Sequence, residues 1–140
     1  MATTTATISV SSNILSYPIS INNSMTMKRA GSCHGLEETS GLNTKKITST
    51  TAFKLFGNAE ATAGGASKVY IRNRGASTTD FFYVGYGEDL GAATIETIGR
   101  LYGGNWMLIP WDAVAATTHD IYAKSSTAEP MHIEYMAFTE

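Results

Sequence analysis

Residues 98–111 read I-G-R-L-Y-G-G-N-W-M-L-I-P-W. Two apolar, β-prone runs flank Gly103-Gly104-Asn105. Gly and Asn tolerate the positive φ angles of a tight turn, so the stretch predicts a β-hairpin. A three-residue loop would set Tyr102 opposite Trp106, Leu101 near Met107 and Gly99 near Ile109. The period of two then divides the side chains sharply, because a slip of one residue exchanges the faces. One face carries Ile95, Thr97, Leu101, Met107, Ile109 and Trp111 and is expected to meet the core, with Gly99 leaving room for a bulky neighbour. The other carries Ile98, Arg100, Tyr102, Trp106 and Leu108. Trp, Tyr and Arg dominate binding hot spots, so this second face is either a partner-facing patch or the inner face of a second layer.

Outward from this stretch the chain is a series of short extended segments. Residues 5–11 alternate Ala6, Ile8 and Val10 against Thr and Ser, a half-buried strand pattern. Residues 17–27 keep the period with Ile19, Ile21, Met25 and Met27, and Pro18 suits an edge or a strand start. Residues 29–46 are turn-rich and predict a long loop with at most one short strand. Such loops are functional or held by a partner. Further strands are expected at 47–55, 68–72, 80–86, 120–124 and 131–138, separated by Gly- and Ser-rich turns. No stretch carries a convincing helical period. The expected fold is all-β: an antiparallel β-sandwich or jelly-roll-like single domain over 29–140, with 1–28 as an extended N-terminal arm or edge strands.

Composition narrows the function classes. One domain of 140 residues buries an adequate core without staples. The net charge of -2 argues against a field that draws nucleic acid or an anionic membrane. Only 16% of residues are charged, against about 25% in ordinary soluble proteins. A low-charge surface suits a protein covered by neighbours, although β proteins in general are also poor in Lys and Glu. The single cysteine, Cys33, allows no intrachain disulfide. No apolar run approaches a membrane span, and residues 1–5 lack a secretory pattern. Folding in a cytoplasm is expected, where the sequon at Asn22 carries no meaning.

Few residues suggest chemistry. Cys33 and His34 are adjacent and point apart on an extended chain. His119 and His132 sit alone, so no metal site is expected. Residues 85–91 have the wrong glycine spacing for a phosphate loop. Asp80, Glu88 and Asp89 supply oxygen ligands suited to calcium, but a solvated acidic turn explains them better. Asp112 and Glu134 are the acids beside strongly apolar runs, with no cleft evident for acid–base work. Arg72 and Arg74 form a small basic spot near Tyr70, short of the broad basic face of a nucleic-acid reader. Trp106 and Trp111, if exposed on a sandwich, could stack on sugar rings, which keeps a carbohydrate-binding module as an alternative.

Three runs carry a resemblance: K-V-Y-I-R-N-R-G-A-S-T-T-D-F-F-Y-V at 68–84, the stretch at 98–111, and I-E-Y-M-A-F-T-E at 133–140. Together they resemble small β-sandwich structural proteins of tailed-bacteriophage virions, the decoration or cement type, in a cyanophage-like style. The resemblance covers roughly residues 67–140 and carries no catalytic residue. It implies a non-enzymatic virion component, synthesised in the host cytoplasm and located on the capsid surface, that binds and bridges major capsid protein subunits. A neck or tail component is the alternative. It implies other virion subunits and further copies of this chain as partners, and no cofactor, nucleic acid or membrane. The candidate contact residues are Arg100, Tyr102, Trp106 and Leu108 on the central stretch, and Ile8, Val10, Ile19 and Ile21 on the arm, which could lend a strand to a neighbour's sheet edge.

Overall fold

Alternation of apolar and polar residues builds eleven strands in a computed structural model that describes residues 4–12, 19–26, 38–57, 66–87, 96–112 and 119–139. They are β1 (Thr5–Ser12), β2 (Ile19–Thr26), β3 (Glu38–Thr39), β4 (Asn43–Ile47), β5 (Phe53–Phe56) and β6 (Ala66–Asn73). There follow β7 (Phe81–Gly87), β8 (Glu96–Tyr102), β9 (Trp106–Asp112), β10 (Asp120–Ser125) and β11 (Met131–Thr139). Sheet I has the order β5-β10-β7-β8. In sheet II both β4 and β3 pair with β11, which pairs with β6, which pairs with β9. Every pairing is antiparallel. With β4 as the first strand of the sandwich, the orders β4-β11-β6-β9 and β5-β10-β7-β8 are those of an eight-stranded jelly roll.

The core lies between the layers. Val69, Ile71, Trp111, Ile133 and Ala137 from sheet II meet Leu55, Phe56, Phe82, Val84, Leu101 and Ile121 from sheet I. Phe56 bridges them, with ring centroids 5.7 Å from Trp111 and 5.4 Å from Tyr135. Trp111 is 1% exposed, and its indole Nε1 donates to the His119 carbonyl at 2.7 Å. Its one polar atom is thereby satisfied, as burial of an indole requires.

The central stretch turns as its glycines predict but does not pair with itself. Asn105 N donates to Tyr102 O at 2.9 Å, and Gly104 has φ 81°, the third position of a type II turn. The two legs then part. β8 pairs with β7 in sheet I, Tyr102 opposite Phe81 and Arg100 opposite Tyr83. β9 pairs with β6 in sheet II, Trp106 opposite Arg72 and Leu108 opposite Tyr70. The expected register of Tyr102 against Trp106, Leu101 against Met107 and Gly99 against Ile109 is therefore overturned. The turn is an arch from one layer to the other, as jelly-roll connectivity demands at this step. Gly99 has no bulky neighbour either: a Cβ there would meet nothing within 4 Å.

Asn73 holds the arch. It is fully buried at the end of β6. Its Nδ2 donates to Leu101 O in sheet I at 2.9 Å, and its Oδ1 accepts from Gly75 N at 2.9 Å. Its own N donates to Asn105 O and its carbonyl accepts from Gly104 N, both at 3.0 Å. Both side-chain polar atoms and both main-chain groups of this residue are thus satisfied, the condition for burying an amide.

The expected strand at 47–55 is two strands. β4 ends at Ile47 and β5 starts at Phe53. Between them Ser49 Oγ donates to Thr51 Oγ1 at 3.0 Å and accepts from Thr51 N at 3.1 Å. Hydroxyls that bond their own backbone compete with a sheet ladder, and here the local turn wins.

The N-terminal segments pair with each other. β1 and β2 form a separate two-stranded sheet with Val10 opposite Ile21, Ile8 opposite Asn23 and Ala6 opposite Met25.

Candidate interaction surfaces

Three surfaces collect the candidate residues. The first is the β1–β2 sheet. Its register places Ala6, Ile8, Val10, Ile19, Ile21 and Met25 on one face together with Ser12 and Asn23, since cross-strand partners share a side. The opposite face is entirely Thr, Ser and Asn, with Thr7 Oγ1 and Ser24 Oγ sharing a hydrogen bond at 3.1 Å. Neither strand carries a charge. Ile8, Val10, Ile19, Ile21 and Met25 are 39–47% exposed, and they make up most of the exposed large hydrophobics among the described residues. A lone two-stranded sheet is marginal in water, and uncharged strand edges invite pairing.

The second surface is the outer face of sheet II. Period two turns Val69, Ile71, Met107 and Ile109 inward, and so turns Tyr70, Arg72, Trp106 and Leu108 outward. The register aligns Trp106, Arg72 and Glu134 in one row across β9, β6 and β11. Leu108, Tyr70 and Met136 form the next row. Trp106 is 52% exposed. Glu134 is nearly buried, accepting from Tyr70 Oη at 3.1 Å through Oε1, while Arg74 Nε lies 3.7 Å from Oε2. Burial, then the hydrogen bond and the negative charge of Glu134, push the Tyr70 phenol above its usual range, with Arg72 pulling the other way. Tyr70, Arg72, Gly104 and Trp106 line a shallow groove of about 430 Å³. A further groove of about 300 Å³ is lined by Arg74 and His132.

The third surface is the outer face of sheet I. Arg100 lies over Phe81 at 4.9 Å and over Tyr83 at 5.3 Å from guanidinium carbon to ring centroid. Phe81 in turn packs on Tyr83 at 4.8 Å and on Tyr102 at 4.9 Å. The cation is held within its own sheet by two rings, a contact of about 0.5–1 kcal/mol at an exposed site. The cluster borders a groove of about 510 Å³ that also includes Asp80, Lys124 and Ser126.

The structure thus separates residues that the sequence places together. Arg100 and Tyr102 belong to sheet I, and Trp106 and Leu108 to sheet II. They are two surfaces rather than one patch, because the arch sends its legs to different layers. Trp111 faces the core and is removed from the sugar-stacking expectation. Asp112 is exposed, and the Glu134 carboxylate is engaged by Tyr70. Asp80 Oδ2 accepts from the Ser77 hydroxyl at 2.8 Å. Cys33, His34, Glu88, Asp89 and Ile95 lie outside the described residues; among the described residues no group of three metal-ligating side chains occurs. The Trp106-Arg72-Glu134 row went unread because it joins three strands distant in sequence. The one available signal was the shared outward phase of Tyr70 and Arg72.

No family model matches the chain, and no curated protein matches it. Among solved structures it is similar to the mitogen derived from Yersinia pseudotuberculosis, at 12% identity and a TM-score of 0.42. That match covers 74% of this chain and 86% of the mitogen.

Proposed function

We propose that this chain is a non-enzymatic virion structural protein of the capsid decoration or cement type, binding and bridging major capsid protein subunits as an oligomer. The observation that carries the reading is the β1–β2 sheet, whose uncharged strands present a largely apolar face to solvent. Monomeric proteins rarely leave such a face uncovered, and when they do it marks a site of association. The jelly roll suits the role without assigning it, since the architecture recurs in viral capsid and lectin domains and fold alone does not specify function. A cement protein makes the same modest contact many times over a lattice, so weak individual affinity is sufficient. Quantitative mass spectrometry of purified particles against the major coat protein tests this. A copy number comparable to the coat is expected. A few copies per particle would move the protein to a neck or tail ring, where closed symmetry sets small numbers, and absence would overturn the reading.

A further inference from the structure

We infer that the outer face of sheet II is a binding site for an acidic saccharide, with one carboxylated pyranose stacked on Trp106 and its carboxylate held by Arg72. This inference stands independently of the capsid reading.

A sugar ring has an apolar C–H face and an edge of hydroxyls, so a site needs a flat aromatic platform beside polar groups of both kinds. Trp106 offers the platform, half-exposed at the wall of a groove whose other walls are Tyr70, Arg72 and Gly104. Arg72 is its direct cross-strand partner, and Glu134 is the next residue in the same row. Neighbouring strands lie about 4.8 Å apart, so the platform and the guanidinium are set apart by about the width of one pyranose ring. The groove's acceptor is fixed in advance: Tyr70 Oη donates its proton to Glu134 Oε1 at 3.1 Å, which leaves its oxygen to accept from a sugar hydroxyl. The groove at Arg74, just past the end of β6, and His132 on β11 lies beyond this row, where a second sugar unit would fall.

Charge selects the ligand. The chain is net acidic at -2. By register and alternation, this one face nevertheless carries Lys46, Lys68, Arg72 and Arg74 against Asp112 and Glu134 among the described residues. An anionic ligand is therefore favoured, and the planar fork of Arg72 matches a carboxylate in two-point contact. The extent of the positive charge decides between an acidic glycan and a nucleic-acid strand: four cations against two carboxylates. A nucleic-acid strand calls for a broad basic face, whereas a single half-exposed ring beside one guanidinium suits one carboxylated sugar.

The two tryptophans make the test clean. Trp111 is buried in the core and hydrogen-bonded to His119 O, so a ligand-induced change in emission reports Trp106. The full chain is titrated with oligogalacturonate, a sialylated oligosaccharide, a neutral malto-oligosaccharide and a dT oligonucleotide. Quenching with a blue shift is expected for an acidic sugar, with the neutral sugar and dT at least tenfold weaker. By calorimetry, Arg72→Ala and Trp106→Ala should each weaken binding tenfold or more, with Arg72→Lys retaining part of it, while the melting transition stays cooperative. A flat response to both acidic sugars overturns the inference. So does equal binding of the neutral sugar, equal binding of dT, or unchanged affinity in Arg72→Ala.

Discussion

Asn73 does more for this fold than any apolar residue of its size could. Its two side-chain atoms join Leu101 of sheet I to the turn at Gly75, and its main chain holds both sides of the arch. Asn73→Ala takes this partner from the buried Leu101 carbonyl, with a desolvation penalty of about 1–3 kcal/mol, and from the part-buried Gly75 N–H. We expect a loss of about 2–4 kcal/mol in urea denaturation. An equal loss from Ser126→Ala, whose Oγ accepts from Phe81 N at 3.0 Å near the surface, would show that the corner has no special standing. The Asn-x-Gly signal at 73–75 is visible in the sequence as a turn. What it does not reveal is that the same Asn is fully buried, because three of its four partners, Leu101, Gly104 and Asn105, are 28 and more residues away.

At the scale of elements, two neighbouring glycines in the central stretch have opposite roles. A Cβ on Gly103 would stand 2.5 Å from the Ser77 carbonyl oxygen, which Gly103 N already contacts at 3.0 Å. A Cβ on Gly99 meets nothing within 4 Å. Gly103→Ala should therefore cost about 2 kcal/mol by forcing backbone apart, and Gly99→Ala less than about 0.5 kcal/mol. Thermal melts of the two variants compare them directly, and equal midpoints would contradict the packing of the arch on residues 76–77. The fold class and the inward phase of Leu101, Met107, Ile109 and Trp111 are readable from sequence, since period two acts within each strand. Strand partnership is not. A glycine pair that permits a hairpin equally permits an arch, and the choice is made by β6 and β7, which claim the two legs separately. The Thr-rich run at 48–51 misleads for a related reason: β-branching favours a strand, while the hydroxyls of Ser49 and Thr51 close a turn.

For the whole molecule, the apolar and charged surfaces are kept on separate parts. The apolar, uncharged face sits on the β1–β2 sheet, which shares no strand pairing with the sandwich, and the cationic aromatic face sits on sheet II. Association through the first should therefore be separable from the stability of the sandwich. The double variant Val10→Asp, Ile21→Asp places two like charges directly opposite each other in the register, which disfavours both the sheet and any apolar contact over it. We expect particle occupancy to fall at least tenfold while the main melting transition moves by less than about 2 °C, given that surface changes away from the core are worth about 0.5 kcal/mol or less. Occupancy equal to the wild type would remove the β1–β2 face from the contact. A lost transition would mean that the sheet belongs to the core.

The position of β11 bears on how the protein is made. It is the last strand of the sandwich in chain order, and it lies inside sheet II with β4 and β3 on one flank and β6 on the other. While a ribosome is still translating the earlier strands, β4 has no neighbour and β6 is half-paired. Ile47, Val69 and Ile71 then wait in water for the strand that will cover them. Vectorial synthesis gains this chain little: no early segment can close a layer, and folding is deferred until residues 131–139 have emerged. A polypeptide terminated before that point is not a smaller sandwich but an open one, with its sticky middle exposed.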